Sequence, residues 1–434
     1  MRQIALINHG CAKNLVDSEL MLGKLIKCGY KITLDETKAD VVIINTCSFI
    51  HDAEKESVAS IFEMIRQGKK IIVAGCLPQK YKKELQELIP ETGAFIGTSD
   101  INKIDEAVKA VLKTKKSQYY VSEHPVCKYP EKIERQQITM GASSYIKIAE
   151  GCDFRCGYCV IPELRGPYIS RKIEDIVKEA EMLVEKGVSE ICLIAQDTTS
   201  YGKDIYSKPS LIELLTELNK IENLNWIRIL YAYPSLLTDD LLKTINKLEK
   251  VVKYIDIPLQ HVSKNMLELM NRPVFDYRVL IKKIRKYIPC AAIRTTFIVG
   301  YPGETEDDFN ELYNFIEEMK FDKLGVFEFS REKNTKADKL RPQIKQLVKK
   351  QRRKILMELQ QKISKQINFR LINKKIDCIV ESIDDSGIVC GRTYKDAPEV
   401  DGLVYIKTKT PVIPGDIIKV KITGADAYDL KGIL

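Results

Sequence analysis

The run Glu150-Gly151-Cys152-Asp153-Phe154-Arg155-Cys156-Gly157-Tyr158-Cys159 puts three thiols in a CxxxCxxC spacing directly after an apolar stretch. Iron in a 4Fe–4S cluster takes thiolate ligands, and closely spaced cysteines in one loop can hold three corners of a cubane. With only three thiols, one iron stays open. An open iron at the mouth of a barrel is where S-adenosylmethionine (SAM) can chelate through its amino and carboxylate groups. Tyr158, between two of the thiols, brings an aromatic face to the same place. A zinc knuckle is the competing reading, but zinc prefers four protein ligands and no fourth Cys or His follows nearby.

A second set is dispersed. Cys11, Cys47 and Cys76 lie 36 and 29 residues apart, yet each stands just beyond the end of a predicted parallel strand. Strands of one parallel sheet end on the same edge, so the three loops can converge in one crevice and hold a second cluster, again with an open iron. The bland alternative is three buried loop cysteines. Gly10 and Gly75 precede two of the thiols and allow tight backbone paths, and Asn45-Thr46 offers hydrogen bonds to sulfur. Cys28, Cys127, Cys192, Cys290, Cys378 and Cys390 are scattered and read as packing residues.

The elements that must position these groups are legible as alternating patterns. Ile4–Asn8, Val41–Asn45 and Ile71–Gly75 are Ile/Val-rich runs ended by turn or polar residues, with helical patterns over Val16–Cys28 and Glu54–Gln67. They predict a parallel α/β domain over residues 1–120. Residues 121–140, with Pro125 and Pro130 among charges, read as a linker. Over 141–342 come six strand candidates: Tyr145–Ala149, Glu190–Ala195, Ile227–Tyr231, Tyr254–Ile257, Ile293–Val299 and Leu324–Phe329. Helical patterns separate them, which predicts a partial (β/α)6 barrel with chemistry at the carboxyl ends of its strands. Gln196-Asp197 ends the second strand, His261 follows the fourth, and Gly300-Tyr301-Pro302-Gly303 follows the fifth. A helix N-cap competes as the reading of the first, and a structural role is favoured over proton transfer for His261.

A basic helix is predicted over 343–375, docking through Leu347, Ile355, Leu359, Ile363 and Ile367. Residues 376–434 hold about five short strands between Gly/Pro/Asp turns, which predicts a small OB-like all-β barrel. The fold class is therefore α/β throughout, closed by a small β module that reads as a self-contained recognition domain.

Charge is uneven along the 434 residues, whose formal net charge is +9. Residues 331–375 carry 16 Lys and Arg against 3 Asp and Glu, whereas 376–434 carry 7 against 10. An acidic OB-type barrel repels a polyanion and suits a basic partner. No apolar run reaches the ~20 residues that cross a bilayer, so no membrane association is expected. Twelve cysteines and only four histidines suit a reducing cytoplasm and iron–sulfur chemistry better than disulfides.

Two motif sets carry a resemblance. The CxxxCxxC loop opening a βα barrel is similar to the radical SAM superfamily. Gly10-Cys11-Ala12-Lys13-Asn14 with Asp17-Ser18-Glu19, then Asn45-Thr46-Cys47 and Gly75-Cys76-Leu77-Pro78-Gln79, extend the likeness over nearly the whole chain to the radical SAM methylthiotransferases. Ala12 departs from the family's usual Pro. Leu164–Tyr168, Ala195–Thr199, Leu230–Pro234 and Asp396–Gly402 resemble the branch that modifies an aspartate of small-subunit ribosomal protein twelve. The other branch modifies an adenosine of tRNA and usually has Asn where Asp197 stands, so tRNA is the less favoured substrate. The resemblance implies two 4Fe–4S clusters, held by Cys152, Cys156 and Cys159 and by Cys11, Cys47 and Cys76, with SAM near Tyr158, Gln196, Asp197, Gly300 and Gly303. It implies a TRAM-like terminal barrel and an electron donor such as flavodoxin or ferredoxin. It also implies a 5′-deoxyadenosyl radical that removes hydrogen from the aspartate β-carbon, and sulfur delivered from the second cluster. A ferredoxin-like electron carrier and a zinc-containing RNA-binding module are the alternatives from other classes.

Overall fold

The computed structural model describes the chain except residues 49, 50, 115, 128, 130–133, 139 and 140. It divides into two compact units, Met1–Met140 with Ala149–Phe154 and Cys159–Ile169, and Gly141–Ile148 with Arg155–Tyr158 and Ser170–Leu434.

The first unit is built on strands β1 (Gln3–Asn8), β2 (Lys31–Ile32), β3 (Val41–Thr46), β4 (Ile71–Gly75), β5 (Ala94–Ile96) and β6 (Gln118–Tyr120). All are parallel, in the order β2-β1-β3-β4-β5-β6. Alternate residues of β3 serve different faces: Val41 and Ile43 pack with Met21, Leu25 and Val108, while Val42 and Ile44 pack with Ile61, Met64 and Leu85. A strand covered on both faces must be apolar at every position, which is why the pattern is a continuous run rather than an alternation. Three short strands escaped the sequence pattern, namely β2, β5 and β6. The linker expected over 121–140 lies partly outside the described residues. Its described part is tied down, for buried Arg135 donates through Nε to Glu19 at 2.5 Å, and Ile138 N–H donates to the same carboxylate at 3.0 Å.

Strand β7 (Ser143–Lys147) belongs to the second unit and is followed in sequence by two short strands that bracket the CxxxCxxC loop, β8 (Ala149–Glu150) in the first unit and β9 (Ile169–Ser170) at the return to the second. Then come β10 (Glu190–Ile194), β11 (Trp226–Ile229), β12 (Tyr254–Asp256), β13 (Ala292–Val299) and β14 (Lys323–Glu328). They form two parallel three-stranded sheets, β11-β10-β7 and β12-β13-β14, with an isolated parallel bridge between Ile227 and Val251 across the seam. Strands β15 (Lys375–Ile383), β16 (Val389–Thr393), β17 (Val404–Lys407), β18 (Ile417–Ala425) and β19 (Leu430–Ile433) close into a small barrel, ordered β15-β16-β17-β19-β18. Fold class, an α/β chain ending in an all-β barrel, is as expected.

Two expectations are corrected. The helix Gln346–Phe369 does not dock through Leu347, which is 76% exposed. Its buried face includes Lys349, Arg352, Gln360, Ser364 and Asn368 beside Leu356, Leu359 and Ile363. Lys349 donates to the Phe329 carbonyl at 2.8 Å and Arg352 to the Glu304 carboxylate at 2.7 Å, so part of the helix's positive charge is internal. Three acidic residues of the small barrel are likewise turned inward, while Asp377, Asp384, Asp385, Glu399 and Asp426 stay exposed. Asp396 meets Lys323 at 2.5 Å, Asp401 accepts from the Tyr254 hydroxyl at 2.6 Å, and Glu381 accepts from Arg392 Nε at 2.9 Å. Glu190, fully buried, receives Arg228 Nε at 2.7 Å and Arg392 Nη2 at 2.5 Å. Burial pushes the Glu190 carboxyl up, but the two guanidiniums prevail and hold it at about 2. The small module is thus bound to the amino ends of the larger barrel's strands, and its −3 balance is not an acidic outer surface.

Candidate active site

In a parallel sheet of this order the chain leaves β1 to one side and β3 to the other, which opens a crevice at the carboxyl edge. Cys11 follows β1 and Cys47 follows β3, so they flank that switch point, and Cys76 follows the adjacent β4. The first unit therefore brings all three thiols to one edge. Cys11 is exposed, while Cys47 and Cys76 are buried.

The backbone around them is held by side chains of neighbouring residues. Asn14 Nδ2 donates to the carbonyls of His9 and Thr46, each at 3.0 Å. Asn45 Nδ2 donates to the Asn14 carbonyl at 2.8 Å and to Ser18 Oγ at 2.9 Å. Cys47 N–H donates to Ser57 Oγ at 3.0 Å, and Leu77 N–H to Thr46 Oγ1 at 3.2 Å. Gly10 has φ +100°, and a Cβ there would stand 2.8 Å from Cys47 Cβ. Gly75 has φ +94°, and its Cβ would meet Asn45 Oδ1 at 2.4 Å. Only glycine suits both conditions at once.

Arg165, which in the sequence is only one position of the Leu164–Tyr168 motif, enters this crevice. It ends the helix Ile161–Arg165 and is 3% exposed. Nη1 donates to Asp17 at 2.8 Å and Glu150 at 3.0 Å, and Nη2 to Asn14 Oδ1 at 2.5 Å and Cys76 Sγ at 3.7 Å. Burial raises the Cys76 thiol to about 11, with Cys11 and Cys47 adding to the rise and Arg165 opposing it. Nothing in the sequence marks one arginine among many as buried.

The fit to an iron–sulfur cluster rests on that donor set. Three thiols reach one edge over glycines that leave no room for side chains, with a cation beside one sulfur. Among the described residues no three His, Cys, Asp or Glu side chains gather as ligands of a single ion would. A cubane does not require that, because each thiolate takes a different corner iron.

The CxxxCxxC cysteines are all partly exposed. In the first unit Cys152 N–H donates to the Gly166 carbonyl at 3.1 Å, and a Cβ on Gly151 would fall 1.9 Å from the Pro167 carbonyl. In the second unit Gly157 is fixed on both sides, its N–H to the Met270 carbonyl and its carbonyl to the Ala337 N–H, each at 2.8 Å. Arg272 Nη1 stands 3.8 Å from Cys156 Sγ and stacks over Tyr233 at 4.4 Å. Tyr158 packs against the apolar group of Met266, Met270, Tyr301 and Phe329.

The remaining predicted contacts lie at strand ends in the second unit. Asp197 is buried and its carboxylate accepts from Thr199 N–H at 2.9 Å, from Thr199 Oγ1 at 2.5 Å and from Ser200 Oγ, while Gln196 beside it is half-buried. Gly300 (φ +72°) and Gly303 (φ +92°) form the turn after β13. A Cβ on Gly300 would lie 2.2 Å from Lys349 Cγ, so the room this glycine leaves on that side is filled by the long helix. Its N–H donates to Glu304, which is buried with His261 at 3.3 Å and Arg352 at 2.7 Å. His261 Nδ1 accepts from Ser263 N–H at 3.2 Å, so both ring nitrogens have protein partners.

Three family models match successive stretches: the uncharacterized protein family UPF0004 over residues 3–97, the radical SAM superfamily over 146–316 and the TRAM domain over 372–434. Curated relatives include the ribosomal protein uS12 methylthiotransferase RimO of a Thermoanaerobacter species, 47% identical over all of both chains. That of Caldanaerobacter subterraneus is 48% identical over all of both chains, and that of Clostridioides difficile 46% identical over all of this chain and 98% of the relative. Among solved structures, the radical SAM methyltransferase TsrM of Kitasatospora setae is similar, with a TM-score of 0.57 at 14% identity, covering 75% of this chain and 73% of that one. The cobalamin-dependent radical enzyme OxsB follows with a TM-score of 0.53 at 13% identity, covering 78% of this chain and 54% of that one. At such identities these two likenesses speak for the fold alone.

Proposed function

Because the chain belongs to the ribosomal protein uS12 methylthiotransferase family, we propose that it attaches a methylthio group to the β-carbon of an aspartate in that ribosomal protein. The observation that supports this most is identity of 47 and 48% across all of both chains. The small barrel's charge gives no separate support, since Asp396, Asp401 and Glu381 are engaged internally.

In this proposal Cys152, Cys156 and Cys159 hold one 4Fe–4S cluster, the kind the radical SAM superfamily implies, and Cys11, Cys47 and Cys76 hold a second. When bound, these groups and SAM supply a hydrogen-abstracting radical and the sulfur to be transferred. The chain's own share is placement. Gly10 and Gly75 let the thiol loops close on one another, and Asn14 and Asn45 hold the backbone between them. Tyr158, Gln196, Asp197, Gly300 and Gly303 line the SAM site, Asp197 through the turn its carboxylate holds. The division at 1–120, 121–140, 141–342, 343–375 and 376–434 belongs to the same proposal. So do a cytoplasmic location and a flavodoxin or ferredoxin as electron donor. Among the described residues no helix is long and apolar enough to cross a membrane.

The test is anaerobic turnover with purified uS12 and, separately, with tRNA, read by mass spectrometry. A methylthio group on the uS12 aspartate is the expected product. Its appearance on a tRNA adenosine, with uS12 unmodified, would reverse the assignment.

A further inference from the structure

Arg165 has no role in the proposal so far, yet it is among the most enclosed charged groups of the first unit. Its guanidinium divides in two. The Nη1 arm is taken by the carboxylates of Asp17 and Glu150, at 2.8 and 3.0 Å. The Nη2 arm points the other way, to Asn14 Oδ1 at 2.5 Å and Cys76 Sγ at 3.7 Å. Asn14 is the residue that bridges the His9 and Thr46 carbonyls, next to Cys11 and Cys47. One planar group therefore reaches one sulfur directly and the backbone of the other two loops through a single amide.

The backbone at the same point is equally constrained. Gly166 has φ +76°, a Cβ there would be 1.9 Å from the Pro125 carbonyl, and its own carbonyl receives the Cys152 N–H at 3.1 Å. The preceding turn is fixed by Thr98, whose hydroxyl donates to the Leu164 carbonyl at 2.5 Å. Leu164 and Val160 pack on Cys76. Arg165 is thus set by its backbone on the segment that follows the CxxxCxxC loop, with its side chain delivered to the dispersed thiols.

We propose that Arg165 is a positioning residue for a cluster on Cys11, Cys47 and Cys76, directing a charge-assisted hydrogen bond at the Cys76 sulfur and so setting the potential at which that cluster is reduced. The inference rests on the two-cluster assignment above. Hydrogen bonds to sulfur and local charge both move such potentials, and a cation beside an anionic cluster favours the reduced form. Asp17 and Glu150 serve as the anchor that keeps the fork turned toward the thiol, because a bidentate guanidinium has fixed donor directions.

The test uses the full chain carrying C152A/C156A/C159A, so that only the dispersed set can hold iron, with and without Arg165→Lys. An ammonium can stay with Asp17 and Glu150 but cannot also supply the second arm. Potentiometric titration followed by electron paramagnetic resonance should show a more negative midpoint in the R165K chain. At the parent's midpoint the reduced-to-oxidised ratio should fall about tenfold, which is about 59 mV for one electron. Loss of iron from an R165K chain that melts like its parent also places Arg165 at the group. An unchanged midpoint with unchanged iron content overturns the inference and leaves the two-cluster assignment standing. Absence of iron from the parent without its three motif cysteines removes both. If R165K is not recovered folded, R165Q/D17N/E150Q is titrated against D17N/E150Q, so that the two chains differ only in the guanidinium, to the same two outcomes.

Discussion

In the first unit one guanidinium, that of Arg165, faces two carboxylates, an amide and a thiol. In the second unit one carboxylate, that of Glu190, lies between the guanidiniums of Arg228 and Arg392. Both groups are buried, and both would be prohibitively costly as isolated charges. They differ in what their partners are. Arg392 and Arg228 also donate to the carbonyls of Asp396 and Tyr394, at 2.7 and 2.9 Å, so that cluster joins one folded module to another. Arg165 keeps one arm on a sulfur, a weak acceptor that has no need of such a donor unless it carries charge. A buried ionic cluster of protein groups alone is architecture. One that ends on thiols at the edge of a parallel sheet is placed for chemistry.

Removing thiols should separate the two most sharply. A C11A/C47A/C76A chain is expected to lose methylthio transfer completely while still cleaving SAM under reduction, and a C152A/C156A/C159A chain to lose both. Each should keep about half the iron and sulfide of the parent after anaerobic reconstitution. If either triple substitution emptied both sites, the crevice and the loop would form one centre, and Arg165 would belong to architecture after all.

At the other pole, Glu190→Gln should act on stability. The substitution leaves Arg228 and Arg392 buried without their shared counter-ion, which costs about 3–5 kcal/mol. Because the folded carboxyl sits at about 2 rather than the ordinary 4.5, its contribution is complete above 4.5 and is lost as pH falls toward 2. Denaturant titrations should therefore show the gap between parent and E190Q narrowing over that interval. A gap of under 1 kcal/mol at neutral pH would mean that the small barrel is held by other contacts.

A middle-sized effect is expected at Gly166, where the crevice depends on backbone rather than charge. Alanine there meets both a positive φ of +76° and the Pro125 carbonyl at 1.9 Å. Strain of this kind is worth about 1–3 kcal/mol, and the Cys152 N–H that bonds to Gly166 would shift with it. Thermal melting of the apo chain measures the first, and iron content after reconstitution the second. A G166A chain equal to its parent in both would show that the segment tolerates displacement.

How far the sequence disclosed this arrangement follows from which residues face what. The three strands that precede the dispersed thiols were legible to within about a residue because β1, β3 and β4 are apolar on both faces, as a central parallel strand must be. Strands β2, β5 and β6 were not, being two or three residues long with little pattern to read. The thiols were found because cysteine is rare and chemically distinctive. Arg165, Glu190 and Arg392 were not, since a charged residue looks the same in sequence whether it faces water or another charge. For the same reason Asp396 and Asp401 entered the expectation as an acidic surface, although both side chains are buried.

The smallest predicted effect probes the same weakness on the helix Gln346–Phe369. Its apolar spacing put Leu347 and Leu359 on one face, but only Leu359 is buried, while Leu347 is 76% exposed at the first turn. The docking face instead continues through Lys349 and Arg352, whose stems pack while their heads bond to Phe329 and Glu304. The second unit thus uses buried charge along this helix as it does around Glu190, and hydrophobic periodicity underestimates such a face. Leu347→Ala should change stability by no more than about 0.5 kcal/mol, and Leu359→Ala should cost about 2–5 kcal/mol. Paired denaturation curves decide it. Equal costs at the two positions would return the helix to an apolar docking face and make its buried lysine and arginine incidental.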